Sequence, residues 1–286
     1  MSLAERRRCV AFLVDTYQVS ERHACQAMNI HRSSYRFVGK RGEVDATHER
    51  IVAVSRRYDY WGYRKIYALL RDEQVRVSRE RVRLVRRREG LQLPKKQRKR
   101  KPLGMSTTRV NRARHPGHVW SYDFVFDQTL DGRRLKCLTV LDEFTRQGLA
   151  VDIARSLTAR DVVATLARLF AVHGRPQCIR SDNGPELVAN AVQKWLGDQH
   201  VGTHYIAPGS PWENAYCESF NSILRTTCLN RWVFSSMLEA RVVCRQWLDE
   251  YNRVRPHGAL RGMNPEQYLR QWQQDEQVLQ PKSLTL

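Results

Sequence analysis

Three carboxylates stand in settings that suit the holding of a divalent cation. Asp123 lies in the run Ser121-Tyr122-Asp123-Phe124-Val125-Phe126. Asp182 closes Cys178-Ile179-Arg180-Ser181-Asp182 and is followed by Asn183-Gly184-Pro185, and Glu218 sits in the helix-like stretch from Trp212 to Asn221. Thirty-five residues separate Asp182 from Glu218. Three oxygen ligands that meet in space suit Mg²⁺ or Mn²⁺. Two such ions, about 3.5–4 Å apart, can cut and join phosphodiesters, one at the attacking oxygen and one at the leaving oxygen. Two of the three positions also have an ordinary explanation, Asp182 as a turn former and Glu218 as a solvated helix acid. Asp123 is the hardest to explain that way, because an acid between Tyr122 and Phe124 in a strand needs a partner. Asp127 and Asp142 also end strand-like runs, and turn or capping roles account for them.

Charge points the same way. The 286 residues carry a net charge of +20, unevenly placed. Residues 1–118 hold 30 Lys and Arg against 11 Asp and Glu, while residues 119–286 hold 19 against 18. A polyanion such as double-stranded DNA is the natural partner of the first two-fifths, the alternative being a merely solvated basic face. No run reaches the roughly 18 apolar residues of a membrane span. The start, Met1-Ser2-Leu3-Ala4-Glu5-Arg6-Arg7-Arg8, is no secretory signal, so the bacterial cytosol or nucleoid is expected. Seven scattered cysteines without a C-x-x-C pair argue against a disulfide framework and against structural zinc.

Several elements must position these groups. Residues 1–38 read as short helices in a helix-turn-helix layout: Val10, Leu13, Val14 and Tyr17 recur at helical spacing, Ser20 is an N-cap, and Asn29-Ile30 turns the chain. The next helix brings Arg32 and Arg36 as candidate DNA contacts. Residues 48–93 form a second helical module with Arg64 and Lys65. Its later helix is capped by Ser78 and stopped by Gly90, with Val82 and Val85 inward and its arginines, Arg83 and Arg87 among them, outward. Residues 94–117 are a basic linker in which Lys95, Lys96, Arg98, Lys99, Arg100 and Lys101 can lie along phosphates.

From Trp120 the pattern becomes α/β. Strands are expected at 120–127, 135–142, 147–154, 177–182 and 203–207, and helices at 159–173, 186–200, 213–229 and 236–251. That order implies a sheet with helices on both faces over 118–270, followed by a tail at 271–286.

The words around the carboxylates resemble the insertion-sequence-three family of DDE transposases. They are Trp120-Ser121-Tyr122-Asp123-Phe124-Val125, Ser181-Asp182-Asn183-Gly184-Pro185-Glu186, Pro208-Gly209-Ser210-Pro211-Trp212-Glu213-Asn214, Glu218-Ser219-Phe220-Asn221 and Tyr251-Asn252-Arg253-Val254-Arg255-Pro256-His257, with Tyr60-Trp61-Gly62-Tyr63-Arg64 in the module before them. The likeness spans about residues 15–270 and corresponds to the product of the family's second reading frame. It implies a ribonuclease H-like core, as in retroviral integrases, preceded by all-α helix-turn-helix modules and a basic linker. Asp123, Asp182 and Glu218 become the catalytic ligands of two Mg²⁺ or Mn²⁺ ions.

The resemblance also implies a reaction: water frees a 3′-OH at the element's terminus, and that hydroxyl attacks another phosphodiester with no covalent protein intermediate. Arg225, seven residues beyond Glu218 on the same helix face, matches a family residue that touches terminal DNA. Asn214 and Asn221 flank Glu218 and either orient it or touch DNA. Implied partners are the terminal inverted repeats and target DNA, further copies of the chain, and fusion to the upstream frame's product. Ala215 and Ser222 replace usual glycines, and Thr226-Thr227 a usual acidic pair, but every carboxylate is kept. The competing readings are a DNA-binding regulator with a decayed core, a structure-selective nuclease of the same fold and, least favoured, a zinc-binding regulator.

Overall fold

The computed structural model describes residues 1, 3–37, 45–94, 112–181, 190–205 and 215–279. Two compact units emerge, Met1–Arg50 and Ile51–Leu286.

In the first unit, α1 (Leu3–Tyr17), α2 (Glu21–Ala27) and α3 (Arg32–Arg36) enclose Val10, Ala24, Cys25 and Ile30, with Leu13, Val14 and Tyr35 packed around them. Ser20 caps α2, accepting from the His23 amide at 3.3 Å. Asn29 turns the chain at φ +49°, a left-handed conformation that asparagine tolerates. The helix α4 (Ala46–Arg57) runs from this unit into the next.

The second unit continues with α5 (Tyr63–Asp72) and α6 (Arg79–Arg88), whose core is Ile51, Val54, Tyr58, Trp61, Ile66, Leu70, Val82 and Val85. Ser78 caps α6 as expected, and Gly90 follows it at φ +68°. One expectation for α6 fails. Arg86 is buried, not outward; its guanidinium donates to Trp61 O at 2.8 Å and Leu91 O at 2.6 Å. Two backbone acceptors inside the module outcompete solvent for it.

The sheet follows with β1 (Val119–Gln128), β2 (Arg134–Asp142) and β3 (Gly148–Ala154) as an antiparallel meander. Then come α7 (Ala159–His173), β4 (Cys178–Ser181), α8 (Asn190–Asp198) and β5 (Gly202–Tyr205). The strand order is β3-β2-β1-β4-β5, with β4 parallel to both β1 and β5. Side-chain alternation sends Trp120, Tyr122, Leu138 and Val140 to α7 and α8 on one face. It sends Val125, Leu135, Cys137 and Leu141 to the other face, under α9 (Ala215–Thr227) and α10 (Met237–Arg253). Helices therefore cover both faces, as the pattern predicts. At Gly148 the backbone meets those helices so closely that a Cβ would lie 2.6 Å from Leu248 Cδ1 and 2.8 Å from the Phe220 ring.

The last helix, α11 (Pro265–Leu279), crosses the boundary where the sequence predicts a tail from residue 271. Tyr268 and Trp272, one turn apart, both pack on Phe144, which gives the helix an apolar anchor.

Candidate active site

Asp123 lies midway along β1, on the sheet face that α9 covers, and is half-buried. Its Oδ2 accepts a hydrogen bond from Asn221 Nδ2 at 2.9 Å, and its Oδ1 lies 2.7 Å from the Phe124 amide. Thr139 faces it from β2 in direct register. The Thr139 hydroxyl is within reach of two acceptors, Asn221 Oδ1 at 2.8 Å and Asp123 O at 3.1 Å. Thr139 thus orients the Asn221 amide so that its NH₂ end faces the carboxylate.

Glu218 is exposed in the first turn of α9, where the helix dipole favours an acid. It sits three residues before Asn221, so the two share a helix face. Cys217 is fully buried beside this arrangement, its sulfur 3.9 Å from both Thr139 Oγ1 and Asn221 Nδ2. Burial, reinforced by the Asp123 charge, holds its thiol well above the usual range, so it is an inert packing group. Asp182 lies outside the described residues; Ser181, the residue before it, pairs with Tyr122, the neighbour of Asp123. Among the described residues, no three His, Cys, Asp or Glu side chains come together as a metal site.

The two other strand-end acids, Asp142 and Asp127, are occupied by backbone amides. Asp142 is buried and accepts from the amides of Gly117, Phe144 and Thr145 at 2.7, 3.0 and 2.8 Å. Asp127 Oδ1 takes the Gln128 amide at 2.9 Å.

One buried pair on the same face of the sheet was not anticipated from the sequence. Arg180 Nη1 lies 3.0 and 2.9 Å from the two carboxylate oxygens of Glu143, and both residues are buried. Burial pushes the Glu143 carboxyl up to about 7, against the opposing pull of Arg180 and then Arg146. An arginine in the middle of the short β4, beside Ile179, was the available signal, because such a charge must find a partner when buried. Arg146, between β2 and β3, stacks its guanidinium 3.6 Å from the Tyr216 ring centroid, two residues before Glu218.

The candidate DNA contacts fall into four groups. Arg225 is half-buried on α9 and donates to Phe126 O at 2.6 Å, anchoring the helix to β1. Arg32 and Arg36 on α3 both pair with Glu21, at 3.2 and 2.8 Å, and hold its carboxyl below the usual range. Arg64 is exposed beside the Tyr63 ring, Lys65 is half-buried, Arg83 pairs with Glu80 at 2.5 Å, and Arg87 is exposed. Asn214, Lys95, Lys96, Arg98, Lys99, Arg100 and Lys101 lie outside the described residues.

Comparison with known proteins gives consistent matches. Residues 113–211 and 199–265 match integrase core domain families, and residues 44–101 match an HTH-like domain family. The chain is 31% identical over 264 residues to the 39.2 kDa protein of insertion element IS476 from Xanthomonas euvesicatoria, covering 92% of this chain and 76% of the other. It is 33% identical over 251 residues to the 31.7 kDa protein of insertion element IS407 from Burkholderia multivorans, covering 87% and 90%. With the transposase for insertion sequence element IS629 from Shigella sonnei it shares 26% identity over 216 residues, covering 71% and 72%.

Proposed function

Because the chain belongs to the insertion-sequence-three family of transposases, we propose that Asp123, Asp182 and Glu218 are the catalytic carboxylates of its strand cleavage and strand transfer. One observation carries this reading: Asn221 ties the helix bearing Glu218 directly to the Asp123 carboxylate. Covalent connection also keeps the Cα of Asp182 within about 3.8 Å of that of Ser181, which is paired beside Asp123.

The donors are all carboxylate oxygens, which fits Mg²⁺ or Mn²⁺ rather than a soft metal. When bound, two such ions would supply charge neutralisation at the attacking and leaving oxygens. The protein's own part is positioning. Asp123 is fixed by the central strand and by Asn221, while Glu218 is exposed on a helix end and free to approach DNA. Thr139 keeps the Asn221 amide in the orientation that donates to Asp123.

Double-stranded DNA is the substrate, with element ends and target as its two forms. The exposed arginines of α3 and α6 and Arg225 supply phosphate contacts, joined by Asn214 and the basic residues 95–101. Joining two ends calls for at least two copies of the chain, alone or fused to the upstream frame's product. Among the described residues no helix is long and apolar enough to cross a membrane; a cytosolic, nucleoid-associated protein is the corresponding reading.

The test is a cleavage and joining assay on labelled element-end DNA with Mg²⁺, Mn²⁺ or chelator. It compares the wild type with Asp123→Asn, Asp182→Asn and Glu218→Gln. Metal-dependent activity lost in all three with DNA binding kept is the expected result. Cleavage that survives any one of them removes that residue from the site.

A further inference from the structure

Between α4 and α5 the chain turns through Tyr58-Asp59-Tyr60-Trp61. Tyr58 and Trp61 stack at 4.1 Å within the core of the helical module. The two residues between them engage the catalytic part instead. Asp59 pairs with Arg231 at 2.9 Å, and the same guanidinium lies 5.0 Å from the Tyr60 ring centroid. The Tyr60 hydroxyl donates to Glu250 Oε1 at 2.9 Å. Arg231 ends the 3₁₀ turn (Leu229–Arg231) that follows the Glu218 helix, and Glu250 is in the last turn of α10. A second contact joins the end of α5 to α11, where Gln267 Nε2 donates to Asp72 Oδ1 at 2.6 Å. Val254, just after α10, packs against the module's own core.

These contacts set a distance that chain length by itself does not. The chain between Pro94 and Arg112 alone permits a reach of up to about 60 Å. One base-pair step is only about 3.4 Å along the duplex. A module that reads DNA at one place can direct cleavage to a single phosphodiester only if something shorter than the linker sets the offset. Each contact is modest alone, and the Asp59–Arg231 pair is exposed. Together they grip the module at two separated points, which fixes orientation as well as distance. They are made by the turn and by α5, and leave Arg83, Arg87 and Arg88 of α6 exposed.

We propose that Asp59, Tyr60 and Arg231 form a ruler that holds the helical module at a set offset from the Glu218 helix and so determines which phosphodiester is cut. This rests on the active-site reading above. Asp59 and Tyr60 are positioning residues that act through Arg231 and Glu250 and do not touch DNA.

The test uses the full chain with Asp59→Arg, Arg231→Asp, the two together, and Tyr60→Phe. Nicks on labelled element-end DNA are mapped at single-nucleotide resolution beside the binding affinity, and a hydroxyl-radical footprint is taken on the same DNA. Each single reversal is expected to lower nicking at the wild-type position about fivefold relative to neighbouring positions, at unchanged affinity, and the double exchange to restore it. In the footprint, the core's protection blurs while the module's stays sharp. Unchanged nick positions in both reversals, or no restoration in the double exchange, overturn the ruler. If the wild type nicks neither alone nor fused to the upstream frame's product, the active-site reading falls and the footprint decides: core protection unaltered by the reversals overturns the ruler.

Discussion

The amide of Asn221 donates to Oδ2 of Asp123 at 2.9 Å, joining two residues 98 positions apart. Replacing Asn221 by Ala removes that donor and leaves the Asp123 carboxylate without its orienting partner, while Arg225 and the core still hold α9 to β1. Single-turnover nicking at saturating DNA is expected to fall about 10- to 100-fold, the usual cost of losing a ligand's orienting partner, with end-DNA affinity kept. Weaker affinity with an unchanged rate would make Asn221 a DNA contact instead.

Gly148→Ala introduces a methyl where Leu248 and Phe220 already stand within 2.6 and 2.8 Å. The Phe220 ring is held against Trp247 and Tyr251 and has little room to give. Urea denaturation should show a loss of about 1–3 kcal/mol. A neutral result would mean that α10 slides outward at no cost.

Arg180→Met strands the Glu143 carboxylate without its buried partner. The unfolding free energy should drop by about 3–5 kcal/mol, and the double variant Glu143→Leu/Arg180→Met should recover most of it. A double variant no more stable than the single one would show that the pair is not the source of the loss.

His257 is held neutral by burial, with Arg255, Lys65 and Arg146 adding positive charge, so its pKa falls to about 3. An unfolded histidine titrates near 6.5 and takes up its proton first. The resulting stability is full above about pH 6.5 and is lost as pH falls towards about 3. Denaturant titrations across that window should show proton uptake on unfolding, and His257→Phe should reduce that uptake by about one proton. A slope identical in the variant would assign the proton elsewhere.

The sequence carried the framework well because the signals are local. β1, β2, β3 and α7 begin and end within a residue of their expected positions, since alternation and helical spacing are read over short windows. Asp123 was legible for a related reason: an acid in an apolar strand asks for a partner, and Asn221 is one. Long-range pairing was not legible. Helical spacing puts Arg86, four residues after Val82, on the inward face, but nothing local names the Trp61 and Leu91 carbonyls that receive it. The Arg180–Glu143 pair, the Tyr60–Glu250 bond and the anchoring of α11 by Phe144 likewise join distant segments. Asp182 and Asn214 fall outside the described residues, so their roles rest on the sequence.

The meander β1–β2–β3 is built from neighbours in sequence, whereas α9 returns to it from nearly a hundred residues away. Local pairings form early in folding and distant ones late. On the ribosome, Asp123 can therefore settle into its strand while Asn221 and Glu218 are still to be synthesised. A chain cut short before α9 would leave Val125, Leu135, Cys137 and Leu141 without the helices that cover them, so truncated products of the gene should aggregate or be degraded rather than persist as a partial protein.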